Sequence, residues 1–350
     1  MDNFEVLNQY SIPSDVLKNM LSLYKLIGMN NQYEERLNEK KDFLESDVIE
    51  KDTFYACRLL NLNLSDQRLR LLITKDSKPQ TKQEEVVTGL KKVFIRLHKN
   101  AKEGYTFNGS DILDNLNIVF GKKSTSFSKE NYAMKGIRPI SIRLKYEQIL
   151  EKYHLFKKEE RFENIFLSII AYMEICNLNP YTDNNELASI LALYYMLLTS
   201  DAKCYFYVSF IEKYYLNKDK IKDSVLKGSI NYWERYLLTT DTVRLIYDIT
   251  ISSYKEIDEM IKQYYFSSRA YKSDVIEETV VKKMPVYFTK DDVRRYHPDA
   301  SDSTINRILF KLRDDGIIMP LGKGRSARWM KLLNENDPKM IFGENYEDRD

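Results

Sequence analysis

The residues whose types and spacing could do chemistry lie in two places. The first is "NPYTDNNELASI", Asn179 to Ile190, where a polar turn joins one apolar helical pattern, "FLSIIAYMEICNL", to another, "LASILALYYMLL". A loop that runs straight into a helix N-terminus presents backbone N–H groups to an anion, and Asp183 and Asn185 add oxygens that a metal or nucleotide could use. The second is "SDSTINRILFKLRDDG", Ser301 to Gly316, whose apolar residues Ile305, Ile308, Leu309 and Leu312 share one stripe. That stripe leaves Ser303, Thr304, Asn306, Arg307 and Lys311 facing outward. These side chains have the donors and acceptors to read base edges or grip phosphates.

Both segments need a frame. From Pro13 to about Phe266 apolar residues recur at three and four positions with few Gly or Pro breaks, which predicts a mainly α body. Helices are expected near Ser14 to Ile27, Asn31 to Leu44, Thr53 to Leu72, Gln83 to Asn100 and Ser110 to Phe120. They resume at Lys145 to His154, Arg161 to Asn177 and Asn184 to Leu198. Between them "GKKSTSFSKENYAMKGIRPISIRL", Gly121 to Leu144, loses the helical period and reads as a loop or short hairpin. The predicted organisation is an N-terminal helical region (1–105), a helical core (106–266), a charged connector (267–283), a small C-terminal domain (284–333) and an acidic tail (334–350).

The small domain reads as a helix near Lys290 to Tyr296, a turn at Pro298, a second helix opened by N-cap oxygens of Ser301, Asp302 and Ser303, then two strands, "IIMPL" and "ARWMKL", about a "GKGR" turn. Helix, turn, helix and hairpin resemble a winged helix-turn-helix. Seven Lys or Arg stand against two Asp between Ser303 and Lys331. The resemblance implies that Asn306 and Arg307 could enter a major groove while the wing residues Lys323, Arg325 and Arg328 hold phosphates. The competing reading is a protein-contact module with solvated arginines.

The loop resembles the signature of the Fic family, generically H-P-F-x-D-G-N-G-R-x-x-R. It matches at Pro180, Asp183 and Asn185, with Tyr181 in place of Phe. It departs where Asn179 replaces the His, Asn184 and Glu186 replace Gly, and Leu187 and Ile190 replace Arg. The resemblance implies a Fic-like core able to transfer AMP from ATP, with the His as base and the Gly-rich turn and arginine cradling phosphate. The departures remove that chemistry. An Asn amide has no useful proton affinity near neutral pH. Leu187 offers phosphate no charge, and Glu186 repels it. Asp183 to Glu186 also fits a capping box, which would fill the helix's anion site from within. The helical region, the break at 121–144 and the C-terminal module match the arrangement of many bacterial members. An inhibitory helix of that family carries a Glu that pairs with the second motif arginine; in "SDQRLR", Ser65 to Arg70, Leu69 stands in its place.

Little else competes. Cys57, Cys176 and Cys204 lie at wide, unpatterned spacings, so neither a disulfide framework nor a zinc site is expected. His98, His154 and His297 form no metal-spaced pair. The N-terminus has no signal-peptide core, and Ala188 to Leu198 is too short to span a bilayer, so a cytoplasmic protein without membrane partners is expected. With 54 basic and 52 acidic residues, net charge says nothing about partners. The expectation is a catalytically degenerate Fic-like protein that binds DNA, without cofactor, as a homo-oligomeric transcriptional regulator. ATP and Mg enter only on the rival reading of a nucleotidyltransferase with a non-standard base; a non-catalytic module for a protein partner is the third.

Overall fold

The computed structural model describes residues 4, 12–133, 138–234, 236–269, 272–298, 300–322 and 328–332. The chain divides into two compact units, Met1–Asp258 and Glu259–Asp350. No described helix is long and apolar enough to cross a membrane.

The first unit is helical almost throughout. It runs α1 (Ser14–Ile27), α2 (Asn30–Leu37), α3 (Lys41–Leu59), α4 (Asp66–Thr74), α5 (Lys82–Lys102) and α6 (Gly109–Phe120), then a hairpin of β1 (Asn131–Tyr132) and β2 (Ile140–Ser141). It continues with α7 (Ile142–Lys158), α8 (Asn164–Leu178), α9 (Asn185–Leu198), α10 (Phe210–Leu216), α11 (Lys218–Gly228) and the start of α12 (Thr240–Arg269). The helix expected over Thr53 to Leu72 is in fact two. Asn61 takes a left-handed backbone at φ 51°, and Ser65 then caps α4 by accepting the N–H of Arg68. Asn is among the few side chains that tolerate that conformation, so it can end a helix as glycine does. Leu69 is fully buried on α4.

α8 and α9 form the centre. Every residue of α9 from Leu187 to Leu198 is buried, and α8 is buried from Ile165 through Ile175 except at Phe166. A helix apolar on all sides is stable only when enclosed by others. α5, α6 and α7 lie around this pair, and α10 reaches it through Phe210 on Tyr194 and Tyr214 on Tyr172.

In the second unit α13 (Lys272–Glu278) leads through a π-helical turn to β3 (Tyr287–Thr289), α14 (Lys290–Tyr296), α15 (Asp302–Asp314), β4 (Ile318–Pro320) and β5 (Arg328–Lys331). The strands pair antiparallel in the order β3-β5-β4. The stretch expected as a connector is helical where it is described. Its Ile276 and Val280 join Met284, Phe288, Val293, Ile305, Leu309, Ile318 and Trp329 in one apolar core. The charges of 267–283 read as a connector, whereas one apolar stripe is enough to fix a short helix.

Candidate functional site

The loop between α8 and α9 starts where Asn179 breaks α8 in a left-handed conformation, φ 48° and ψ 65°. Asn179 is exposed, and Pro180 and Tyr181 turn inward. The Tyr181 hydroxyl donates to the Gly109 carbonyl at 2.7 Å, and its ring packs edge-on against Tyr146. A Cβ at Gly109 would stand 2.7 Å from the Tyr146 ring, so this corner needs glycine for its close approach.

Asn185 closes the loop on itself. Its side-chain oxygen accepts the Tyr181 N–H at 2.9 Å and its amide donates to the Tyr181 carbonyl at 2.8 Å. One side chain thus satisfies both backbone groups of a buried residue. The segment before β1 completes the frame: Ser128 N–H donates to the Pro180 carbonyl, Thr182 N–H to the Ser126 carbonyl, and Phe127 lies opposite Tyr181 in an antiparallel bridge. Arg143 lies over the Phe127 ring.

The expected capping box does not form. Asn184, the residue before α9, is left-handed at φ 59°, whereas an N-cap needs an extended backbone to aim its side chain at the following N–H groups. No side chain caps α9; Asn184 donates to Thr125 Oγ1 instead. Asp183 and Glu186 are exposed. Leu187 is 3% and Ile190 1% exposed, so the two positions where the signature has arginine face the core. The loop therefore offers Asp183 and Glu186 carboxylates, an engaged Asn185 amide and no cation. Among the described residues no group of three His, Cys, Asp or Glu could hold a metal ion.

The second candidate region lies on α15. Ser301 caps it by accepting the Thr304 N–H, and the Thr304 hydroxyl stays at 2.9 Å from the Ser301 hydroxyl, which draws Thr304 into the cap rather than outward. Ser303, Asn306, Arg307, Phe310, Lys311, Asp314 and Asp315 line a shallow concavity of about 560 Å³. Lys311 is paired with Glu277 at 2.7 Å and Arg313 with Asp314 at 2.7 Å. Arg328 is exposed on β5. Lys323 and Arg325 lie outside the described residues.

A third feature joins residues far apart in sequence and leaves no motif there. Asp52 on α3 is fully buried, accepting from Ser209 at 2.6 Å, Tyr194 at 2.5 Å and the Ile211 N–H at 3.1 Å. His98 Nε2 meets the same Tyr194 hydroxyl at 2.6 Å.

No family model matches the sequence, and no curated protein does. Among solved structures the chain is similar to a Fic family protein from Desulfovibrio desulfuricans, at 9% identity and a TM-score of 0.53, over 94% of this chain and 99% of that one. A Fic domain containing signaling protein from Bacteroides thetaiotaomicron aligns at 12% identity and a TM-score of 0.47, over 71% of this chain and 97% of that one. Fic-1 from C. elegans aligns at 14% identity and 0.47, over 69% and 71%. Likeness to the first over nearly the whole of both chains gives the architecture that the loop motif implied: a mainly α, Fic-like fold.

Proposed function

We propose that the protein is a DNA-binding regulator, built from a Fic-like body without transferase chemistry and a C-terminal winged helix. The observation that carries the reading is the exposed stripe of α15, where Ser303, Asn306 and Arg307 stand together over a fully apolar underside. Arg307 and Asn306 supply the donors and acceptors for base edges, and Arg328 lies on the strand that would form one side of the wing. Lys311 is held by Glu277 at the surface, a pairing weak enough for a phosphate to replace.

The body supports the non-catalytic half of the reading. Asn179 supplies no base at the position of the signature histidine, and the buried Leu187 and Ile190 bring no cation to the start of α9. A body of this kind would sense a ligand or a protein partner. A single module binds DNA weakly and with a steep salt dependence, so the working form is a homo-oligomer in the cytoplasm.

The test is selection of DNA from fragmented genomic DNA at two salt concentrations, using the purified chain and an Arg307→Ala, Lys311→Ala double variant. A few enriched sites, lost in the variant, are expected. Arg307→Ala alone should relax sequence preference, whereas Arg328→Ala should weaken all DNA alike and reduce the salt slope by about one. No enrichment at either salt would overturn the reading.

A further inference from the structure

The stripe on α15 holds one side chain that phosphate binding does not use. Phe310 is 46% exposed, one helical turn beyond Asn306 and Arg307, and lines the same concavity. It is packed on two sides: its ring meets Trp329 at 6.1 Å edge-on, and the Arg313 guanidinium lies over it at 4.9 Å. A large aromatic packed in this way and half in water has few rotamers left to lose on contact and gains by covering apolar surface.

Charge sets which end of the helix can approach a polyanion. Ser303, Asn306 and Arg307 occupy the N-terminal half, where Asp302 is already paired with Lys290 and Arg294, whereas at the C-terminal end Asp314 pairs with Arg313 and Asp315 adds a second carboxylate. A duplex is thus admitted over the first half and turned away beyond Lys311. Phe310 lies at the limit of that approach, where it can touch a base edge but not run along the backbone. In the major groove the apolar feature at a base edge is the 5-methyl group of thymine, and the neighbouring Asn306 is suited to the paired hydrogen bonds of adenine.

We infer that Phe310 is a specificity-determining residue that packs on a thymine methyl in the major groove, beside an adenine read by Asn306. The inference rests on the DNA-binding reading of α15. The recognised sequence should therefore contain an A·T-rich step. Removing the one methyl group that Phe310 covers should weaken binding about fourfold, the effect of exposing one buried methylene-sized group.

The experiment starts from a site selected out of random duplexes by the full chain. Each thymine is replaced in turn by deoxyuridine, and affinities are measured for the wild type and for Phe310→Ala, whose folding is checked by thermal unfolding. The expected result is one or two positions at which deoxyuridine costs the wild type about fourfold and costs Phe310→Ala nothing. Specific binding in which Phe310→Ala keeps the same response to deoxyuridine would overturn this inference and leave the DNA-binding reading standing. Failure to select any sequence would remove both, and would leave Phe310 as a contact for protein.

Discussion

The Tyr194 hydroxyl on α9 stands 2.5 Å from Asp52 Oδ2 on α3 and 2.6 Å from His98 Nε2 on α5, so three helices share one hydrogen-bonded chain. Tyr194 has a single proton to donate. When the Asp52 carboxylate takes it, His98 Nε2 must be the donor to the tyrosine oxygen, and His98 Nδ1 then faces Glu45 Oε1 at 3.5 Å. The chain ends at the surface, where Lys102 pairs with Glu45.

Asp52 should make stability depend on pH. Burial pushes its carboxyl from 3.8 up to about 6, against hydrogen bonds from Ser209 and Tyr194 and the nearby His98. Between those values the folded chain keeps a proton that the unfolded chain has released, so stability falls as pH rises through the window, by on the order of 3 kcal/mol. Glu45 acts in the opposite sense. The His98 ring beside it, and then Lys102, hold it down to about 2, so its contribution is present above the ordinary carboxylate range and lost as pH falls. Urea unfolding at pH 4 and pH 7 checks the contribution of Asp52. The stability of Asp52→Asn relative to wild type should improve by a few kcal/mol between them; a difference that stays constant would show that Asp52 is ionised throughout.

Asn185→Ala should destabilise the protein by about 1–2 kcal/mol, because both backbone groups of buried Tyr181 lose their partner. Asn185→Asp separates geometry from volume. A carboxylate can still accept the Tyr181 N–H, but it sets a second oxygen against the Tyr181 carbonyl. Thermal unfolding should place Asp no better than Ala, and wild-type stability in the Asp variant would refute the two-sided clasp.

Two glycines should respond oppositely. At Gly228 a Cβ would lie 2.2 Å from the Leu238 carbonyl oxygen, whose own N–H is bonded to the Gly228 carbonyl at 2.9 Å. The backbone must move, so Gly228→Ala should cost about 1–3 kcal/mol. Gly28 sits at φ −60° after α1 and its nearest neighbour would be 3.4 Å away. Gly28→Ala should be neutral or stabilise by about 0.5 kcal/mol through the unfolded chain. Denaturation midpoints of the two variants that fall on the same side of wild type would contradict this contrast.

Periodicity made α1, α5, α6 and α15 readable nearly to their ends, because each carries a clear apolar stripe between polar turns. The break at Asn61 escaped it, since one residue's left-handed backbone leaves no periodic trace. The failed capping box has a similar cause: Asp183, Asn184 and Glu186 have the right types, but the φ of Asn184 turns its side chain toward Thr125. β3 was hidden because a three-residue strand is too short for alternation to register. The Asp52, His98 and Tyr194 chain joins residues far apart in sequence, so only the packing of α3, α5 and α9 could reveal it. The Fic-like loop was legible because its residues are contiguous.

Restoring the missing histidine should not restore transferase chemistry. In Asn179→His the imidazole would stand on an exposed loop with a suitable proton affinity, so a missing base alone would then be remedied. The phosphate site would still be wrong: Glu186 is exposed at the start of α9, and Leu187 and Ile190 point into the core. Leu187→Arg cannot simply be added, because a side chain 3% exposed would carry its charge into an apolar interior at a cost of several kcal/mol. Incubation with each labelled nucleoside triphosphate, with and without a lysate as acceptor, should leave wild type, Asn179→His and Asp183→Ala equally unlabelled. Transfer by Asn179→His would mean that the loop retains a working phosphate site and that the lack of the histidine alone had prevented transfer. Transfer by the wild type, lost in Asp183→Ala, would make the protein a transferase with an unusual base and would displace the regulatory reading of its body.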